Sequence, residues 1–249
     1  SVAIGDLDGD NDLDIVAGNY NAQSAVYLND GSGSFPAPHT LTDDPATTRS
    51  VAVGDMDHNG ALDIVVGRSG GQHTVYFNDG QGGFPSRDTL AFGAYSDVAE
   101  SIAVGDMNCD DALDIVMGSP YIKDPQDHSE IANRYEQGVV YLNNGKGGFP
   151  ITSTVPFGYS FDDNESIAIG DMDGNGYLDI IAGEFAYSTI RFHNGNCSSP
   201  SWNNTAILYE LNSVESIAVG DLDGDGDLDI AAGAAENDNT ILPSNDLGA

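Results

Sequence analysis

The sequence predicts an all-β fold, a β-propeller of five four-stranded blades. Two observations predict it. One strand-forming segment recurs at 1–18, 50–67, 101–118, 166–183 and 216–233, and a period near 50 residues marks solenoids, propellers and other arrays. Apolar residues within each unit alternate or run in short β-branched stretches, and the 3.6-residue period of a helix is missing. The units occupy approximately 1–49, 50–100, 101–165, 166–215 and 216–249, so a single domain accounts for all 249 residues.

Each unit opens on a strand of the form Ser-[Val/Ile]-Ala-[Val/Ile]-Gly, beginning at Ser1, Ser50, Ser101, Ser166 and Ser216. Small residues there suit the crowded centre of a propeller. An Asp-rich loop leads to a second apolar run such as Leu13-Asp14-Ile15-Val16-Ala17-Gly18. The third strand is Ala25–Leu28, Thr74–Phe77 and Val139–Leu142 in the first three units. Asn29-Asp30-Gly31, Asn78-Asp79-Gly80 and Asn143-Asn144-Gly145 then form turns, because Asn and Gly accept positive φ. Phe35-Pro36, Phe84-Pro85 and Phe149-Pro150 lead into an outer strand, where proline costs no ladder bond. Unit five is short. After Thr240-Ile241-Leu242 only Pro243 to Ala249 remain, so its blade is three-stranded, is completed by another chain, or belongs to a larger ring.

The loops carry the chemistry. Oxygen-bearing side chains fall at loop positions 1, 3, 5 and 9: Asp6, Asp8, Asp10 and Asp14; Asp55, Asp57, Asn59 and Asp63; Asp106, Asn108, Asp110 and Asp114; Asp171, Asp173, Asn175 and Asp179; Asp221, Asp223, Asp225 and Asp229. Hard oxygens in that number suit Ca²⁺, one ion per loop and about five in all. Position 7 varies (Asp12, Ala61, Ala112, Tyr177, Asp227), as a backbone-carbonyl ligand would allow. Position 6 is Asn11, Gly60, Asp111, Gly176 or Gly226, residues that tolerate a left-handed backbone. An EF-hand is excluded: its twelfth position needs Glu, and here it is Ala17, Val66, Met117, Ala182 or Ala232. Mg²⁺ retains its waters and Zn²⁺ prefers His or Cys. Without metal each loop crowds three or four anions, so binding is expected to couple to folding. Solvated Asp-Gly turns are the plain alternative.

The charge balance points the same way. There are 40 Asp+Glu against 7 Lys+Arg, a net charge of −33. This balance disfavours nucleic acid and anionic membrane as partners, since both need a basic surface. Five Ca²⁺ would bring −33 to −23. No apolar run is long enough to span a bilayer, and no signal peptide is expected within the sequence, which opens directly on a strand-forming segment.

This D-x-D-x-[DN]-G-x-L-D loop, followed by an apolar strand ending in Gly, resembles the FG-GAP/VCBS repeat family. The resemblance covers essentially the whole chain. It implies a calcium-binding propeller like those of integrin α-subunits, with the loop residues named above as ligands. It also implies extracellular or cell-surface work in adhesion, carbohydrate recognition or scaffolding beside polysaccharide-degrading enzymes. Seven blades are common in that family, and five repeats depart from this.

Other signals are thinner. The strand 2–3 loops lie on the face opposite the Asp loops. They include the insertion Ser119–Gly138, with Tyr121, Lys123, His128, Arg134 and Tyr135, together with Tyr20, Arg49, Arg68, His73 and Tyr187. A glycan or protein ligand is expected there, against a solvated loop with incidental aromatics. Arg49, Glu100, Glu165 and Glu215 precede the opening Ser of their units and are expected around one channel mouth, where the glutamates bind a cation, Arg49 pairs with a neighbour, or all stay hydrated. Cys109 and Cys197 fall on one face of adjacent blades, as a disulfide or as two free thiols. No catalytic motif appears, so no catalytic residue is assigned and a non-enzymatic module is expected. The alternatives are a self-assembling subunit joined through open blade edges, and a polysaccharide-active enzyme using Tyr121, His73 or Arg134.

Overall fold

The computed structural model describes the chain apart from residues 42–46, 86–87, 94–97, 119–120, 124–132, 136–137, 159–163, 185–186, 210, 212, 235–238 and 245–249. Blade 1 consists of β1 (Val2–Gly5), β2 (Asp14–Ala17), β3 (Ala25–Tyr27) and β4 (His39–Thr40). Blade 2 is β5 (Thr47–Gly54), β6 (Asp63–Ser69), β7 (His73–Tyr76) and β8 (Thr89–Phe92). In blade 3, β9 (Ser101–Gly105) and β10 (Asp114–Gly118) are followed by a hairpin, β11 (Tyr121–Lys123) and β12 (Asn133–Tyr135). Strands β13 (Gly138–Tyr141) and β14 (Thr154–Phe157) complete that blade. Blade 4 is β15 (Asn164–Gly170), β16 (Asp179–Glu184), β17 (Ser188–Phe192) and β18 (Asn204–Leu208). Blade 5 is β19 (Val214–Gly220), β20 (Asp229–Ala234) and β21 (Thr240–Leu242). Every blade is an antiparallel meander in chain order. Among the described residues there is no α-helix, and therefore no helix long and apolar enough to cross a membrane. Among the described residues the last blade has three strands where the other four have four.

The inner strands β1, β5, β9, β15 and β19 lie side by side in that order. The terminal Gly of each inner strand makes this approach feasible: a Cβ on Gly54 would stand 2.7 Å from Leu113 Cδ1. The opening serines link the blades. Ser1 Oγ accepts the Val51 amide (3.2 Å), Ser50 that of Ile102 (3.0 Å), Ser101 that of Ile167 (2.9 Å) and Ser166 that of Ile217 (2.9 Å).

The core lies between the blades. Leu7, Val16 and Val26 pack on Val51, Ile64 and Tyr76. Met56, Val65 and Val75 pack on Ile102, Ile115 and Tyr141. Met107, Val116 and Val140 meet Ile167, Ile180 and Trp202, and Ile181 and Ile190 meet Ile217 and Ile230. Continuous apolar runs such as Ile64-Val65-Val66 follow, because both faces of an interior blade are buried. Register shifts at Thr48/Ser50, Asn164/Ser166 and Val214/Ser216 place Arg49, Glu165 and Glu215 on β-bulges. A bulge re-aims its extra residue away from the sheet.

Candidate functional site

The five loops share one backbone. Position 6 has positive φ throughout: Asn11 71°, Gly60 88°, Asp111 67°, Gly176 87° and Gly226 99°. Position 4 does too, at Gly9, His58, Cys109, Gly174 and Gly224, which sequence reasoning missed because His and Cys hide the pattern. The position 1 carboxylate organises the curl. Asp55 Oδ1 accepts the Asn59 amide (3.0 Å) and its Oδ2 that of Gly60 (2.9 Å). Asp6, Asp106, Asp171 and Asp221 likewise use both oxygens on amides of their own loops. Position 5 accepts the position 7 amide in every loop, from Asp10–Asp12 (2.9 Å) to Asp225–Asp227 (2.9 Å), through Asn59–Ala61, Asp110–Ala112 and Asn175–Tyr177.

Position 9 does something else. Asp14, Asp63, Asp114, Asp179 and Asp229 are buried. One oxygen of each accepts the position 2 amide, from Leu7, Met56, Met107, Met172 and Leu222 at 2.7–2.9 Å. The other accepts an amide beyond strand three, from Asn29, Asn78, Asn143, His193 and Ser244 at 2.8–2.9 Å. These carboxylates tie the Asp loop to the neighbouring turn. Burial pushes Asp63 and Asp179 up to about 6 and Asp114 up to about 7, against the two amides and with help from neighbouring loop carboxylates. Asp229 has the same bonds but is held below its ordinary value by the amides of Leu222 and Ser244.

Four loops gather carboxylates within 4.8 Å of one another: Asp6, Asp8 and Asp10; Asp55, Asp57 and Asp63; Asp171, Asp173 and Asp179; Asp221, Asp223 and Asp225. The third loop, with Asn108 at position 3, forms no such acidic triad. Asp8 Oδ1 is buried without a hydrogen-bond partner, and burial together with Asp10 and Asp14 raises its pKa. An all-oxygen set around an unpartnered buried oxygen fits a hard divalent cation such as Ca²⁺.

The opposite face divides. Arg68 and His73, expected to be accessible, lie inside blade 2. Arg68 donates to Gln72 O, Thr74 Oγ1 (2.7 Å) and Tyr76 Oη (2.7 Å), while its amide donates to His73 Nδ1 (3.1 Å). Burial and the Arg68 charge press His73 down to about 4, so the ring is neutral. Arg49 pairs with Glu100 of the next blade (3.0 Å) and stands 5.8 Å over the exposed Tyr20 ring. Tyr187 meets Tyr209 edge-on at 5.5 Å, and both are exposed. Tyr209 was missed because it sits in a blade linker that no repeat pattern marks. A buried Arg191–Glu184 pair (3.2 Å) inside blade 4 was missed as well, its signal being only two opposite charges on adjacent strands. Of the insertion, the backbones of Tyr121, Lys123, Arg134 and Tyr135 form β11–β12, and His128 lies outside the described residues. Cys109 and Cys197 form a disulfide that joins the third Asp loop to the strand 3–4 turn of blade 4.

Family models match most of the chain: an FG-GAP-like repeat at residues 6–66, 59–117 and 131–182, and an FG-GAP repeat at 213–249. The chain belongs to the FG-GAP repeat family. No curated protein matches it in sequence. Among solved structures, an Agrocybe aegerita lectin described as recognising non-reducing terminal N-acetylglucosamine is 18% identical, with a TM-score of 0.53 over 82% of this chain and 50% of its own. The exotype rhamnogalacturonan lyase YesX is 14% identical, with a TM-score of 0.55 over 99% and 47%. BBS1N, solved in complex with ARL6DN, is 14% identical, with a TM-score of 0.56 over 96% and 66%. The chain thus spans about half to two thirds of the length of these proteins, and the likeness is one of fold.

Proposed function

We propose that this chain is an extracellular, non-enzymatic binding module whose Asp loops hold structural Ca²⁺ and whose opposite face takes a glycan. The observation that carries the ligand reading is the exposed Tyr187–Tyr209 pair, with Tyr20 and Arg49 on the same face. Exposed aromatic planes beside polar groups suit the apolar faces and hydroxyls of a sugar. The carboxylates of the Asp loops are engaged by loop amides or gathered as hard-oxygen sets, an arrangement that suits ion binding. Asp6, Asp8 and Asp10 and their counterparts would hold the ion and relieve the mutual repulsion of those anions. The Cys109–Cys197 disulfide supports an oxidising compartment.

Two measurements test this. Calorimetric titration of Ca²⁺ into chelator-treated protein should show saturable uptake and a raised melting temperature; a melt indifferent to both chelator and calcium overturns the metal reading. Glycan-array binding in calcium should be lost in Tyr187→Ala and Tyr209→Ala while their melts stay at the wild-type value. No glycan bound by the wild type, or binding untouched by both substitutions, overturns the ligand reading.

A further inference from the structure

One residue of a strand 3–4 turn stands between two Asp loops. In blade 2 it is Asn78 and in blade 3 Asn143, and both are buried. The Asn78 amide donates to Asp63 Oδ1 (2.9 Å) and its Nδ2 to Leu62 O (2.9 Å), so the residue grips the end of its own loop. The same Nδ2 donates across the blade boundary to Leu7 O (2.7 Å), between Asp6 and Asp8 of the loop before. Asn143 repeats the pattern, with Asp114 Oδ1 (2.8 Å) and Leu113 O (3.0 Å) in its own blade and Met56 O (2.8 Å) in the preceding one. Asn78 Oδ1 accepts the Gly80 amide, and Asn143 Oδ1 those of Gly145 and Gly147. Both hydrogens of each Nδ2 and each side-chain oxygen are engaged, so neither side chain turns without breaking bonds.

The turn also rests on the preceding loop at position 3. A Cβ on Gly82 would stand 3.1 Å from Asp8 Cβ, and one on Gly147 3.2 Å from Asp57 Cβ. The other two boundaries are built differently. Between blades 3 and 4, His193 replaces the asparagine, and Cys197, the counterpart of Gly82 and Gly147, is bonded to Cys109 at position 4 of the third loop. Between blades 4 and 5 the turn residue is Ser244. Its amide still donates to Asp229 Oδ1 (2.8 Å), but its Oγ has no hydrogen-bond partner among the described residues, so this side chain makes no bond to the fourth loop.

We infer, on the calcium reading proposed above, that Asn78 couples ion uptake by the first two Asp loops, so that filling either loop raises the affinity of the other. Asn78 is a positioning residue that acts through Leu7 and Asp63. Leu7 lies among Asp6, Asp8 and Asp10, and Asp63 belongs to the carboxylate set of Asp55 and Asp57. One side chain thus ties the backbone of the first set to a member of the second. An ion that orders loop 1 fixes the Leu7 carbonyl and the seat of Gly82, then Asn78, and through its amide Asp63. That ordering is already in place when loop 2 meets its own ion, and coupling of this kind is reciprocal. Repulsion between two bound cations acts against it, but salt at about 0.15 M screens charges over a Debye length of about 8 Å. Loops 4 and 5 have no such side chain between them and should fill independently.

The test reads each loop separately. The full chain, isotope-labelled and stripped with chelator, is titrated with Ca²⁺ in about 0.15 M salt. The position 6 amides of Gly60 and Gly226, each bonded to the position 1 carboxylate of its loop, report loops 2 and 5 by NMR. Asp8→Ala takes a carboxylate from loop 1 and should raise the Ca²⁺ concentration that half-fills loop 2 about fivefold or more. Asn78→Ser installs the turn residue of blade 5, and adding Asp8→Ala to it should leave loop 2 as in Asn78→Ser alone. Asp173→Ala, the matching change in loop 4, should leave loop 5 unmoved, which separates coupling from the mere loss of a nearby charge. Circular dichroism verifies the fold of each variant, and if Asn78→Ser unfolds, the contrast between the two pairs of loops decides. Loops that fill while loop 2 ignores Asp8→Ala, a shift undiminished by Asn78→Ser, or an equal shift of loop 5 in Asp173→Ala overturns the coupling and leaves the calcium reading standing. A chain in which no loop takes up Ca²⁺ overturns both.

Discussion

The position 9 aspartates and those at positions 1, 3 and 5 share a side chain and a loop but do different work. Asp114 is buried, with both oxygens fixed by backbone amides from two separate turns. Asp173 lies in the curl of its own loop, accepts one local amide and crowds two other carboxylates. The first is a strut that the sheet requires whether or not an ion is bound. The second belongs to a cluster whose stability rests on what neutralises it. An acid-rich loop therefore combines two devices, and in the second and fourth loops they meet, because the buried Asp63 and Asp179 also lie within 4.8 Å of the position 1 and 3 carboxylates.

Removing a strut should have the largest effect. Asp114→Ala leaves the amides of Met107 and Asn143 buried and unpaired. Bonds to a charged acceptor contribute roughly 1.5–3 kcal/mol each, so a loss of about 3–6 kcal/mol is expected. Urea melts should give the same loss in calcium and in chelator. A loss that vanishes in chelator would return Asp114 to the metal cluster and erase the distinction.

The disulfide tests whether the surface device is independently tethered. It closes a loop of 88 residues between blades 3 and 4. Cys109→Ser with Cys197→Ser should lower stability by about 2–5 kcal/mol. Because Cys109 sits at the positive-φ position 4 of the third loop, the change should also loosen that loop relative to the other four, read as faster amide exchange at Asp110 and Asp111. Exchange that accelerates equally in all loops would mean that the bond steadies the whole molecule and not this one site.

Much of this was legible in the chain. Five copies of one pattern fix strand order, turn chemistry and the left-handed position 6, because repetition separates what a blade needs from what one surface happens to carry. The division of labour among the acids was not legible, since a strut and a ligand are both Asp at a fixed spacing. Only burial, and an amide arriving from a turn fifteen or more residues away as at Asn29, Asn78 and Asn143, separates them. Arg68 and His73 misled for a related reason. A strand 2–3 loop is normally wet, but here Tyr76, Thr74 and a backbone amide draw both side chains into the sheet. The Tyr187–Tyr209 contact joins a strand 2–3 loop to the linker after β18 of the same unit, two stretches in which the units share no pattern.

His73 is a buried polar group with no metal nearby, so it sharpens the comparison from the interior side. Its pKa in the fold is about 4 against an ordinary value of 6.5, the lowering due to burial and to Arg68. The unfolded chain therefore takes up a proton first as pH falls. The resulting stability is complete above about 6.5 and is lost progressively down to about 4, by about 3 kcal/mol in total. The raised position 9 carboxylates titrate in the opposite sense over part of that range, so the quantity to measure is the difference between wild type and His73→Gln, whose amide oxygen can still accept the Arg68 N–H. That difference should shrink by about 3 kcal/mol from pH 7 to pH 4, and a flat difference would place a compensating charge beside the ring.

The smallest effect on the metal-free fold should come from the cluster. Asp173→Asn keeps an oxygen for the Asn175 amide and removes one of three crowded negative charges. In chelator the substitution should change stability by no more than about 0.5 kcal/mol, the usual range for an exposed site, with relief of repulsion favouring a slight gain. In calcium the same protein should be less stable than wild type, because the site has lost a charged ligand. A single substitution that reverses sign with the ion is the signature of a surface cluster, and Asp179→Asn should instead lower stability in both conditions, because its carboxylate also serves the buried Met172 and His193 amides while it completes the cluster with Asp171 and Asp173. A gain in chelator at both positions would mean that the amides of Met172 and His193 do not need the Asp179 charge and that the strut reading of position 9 is wrong for blade 4.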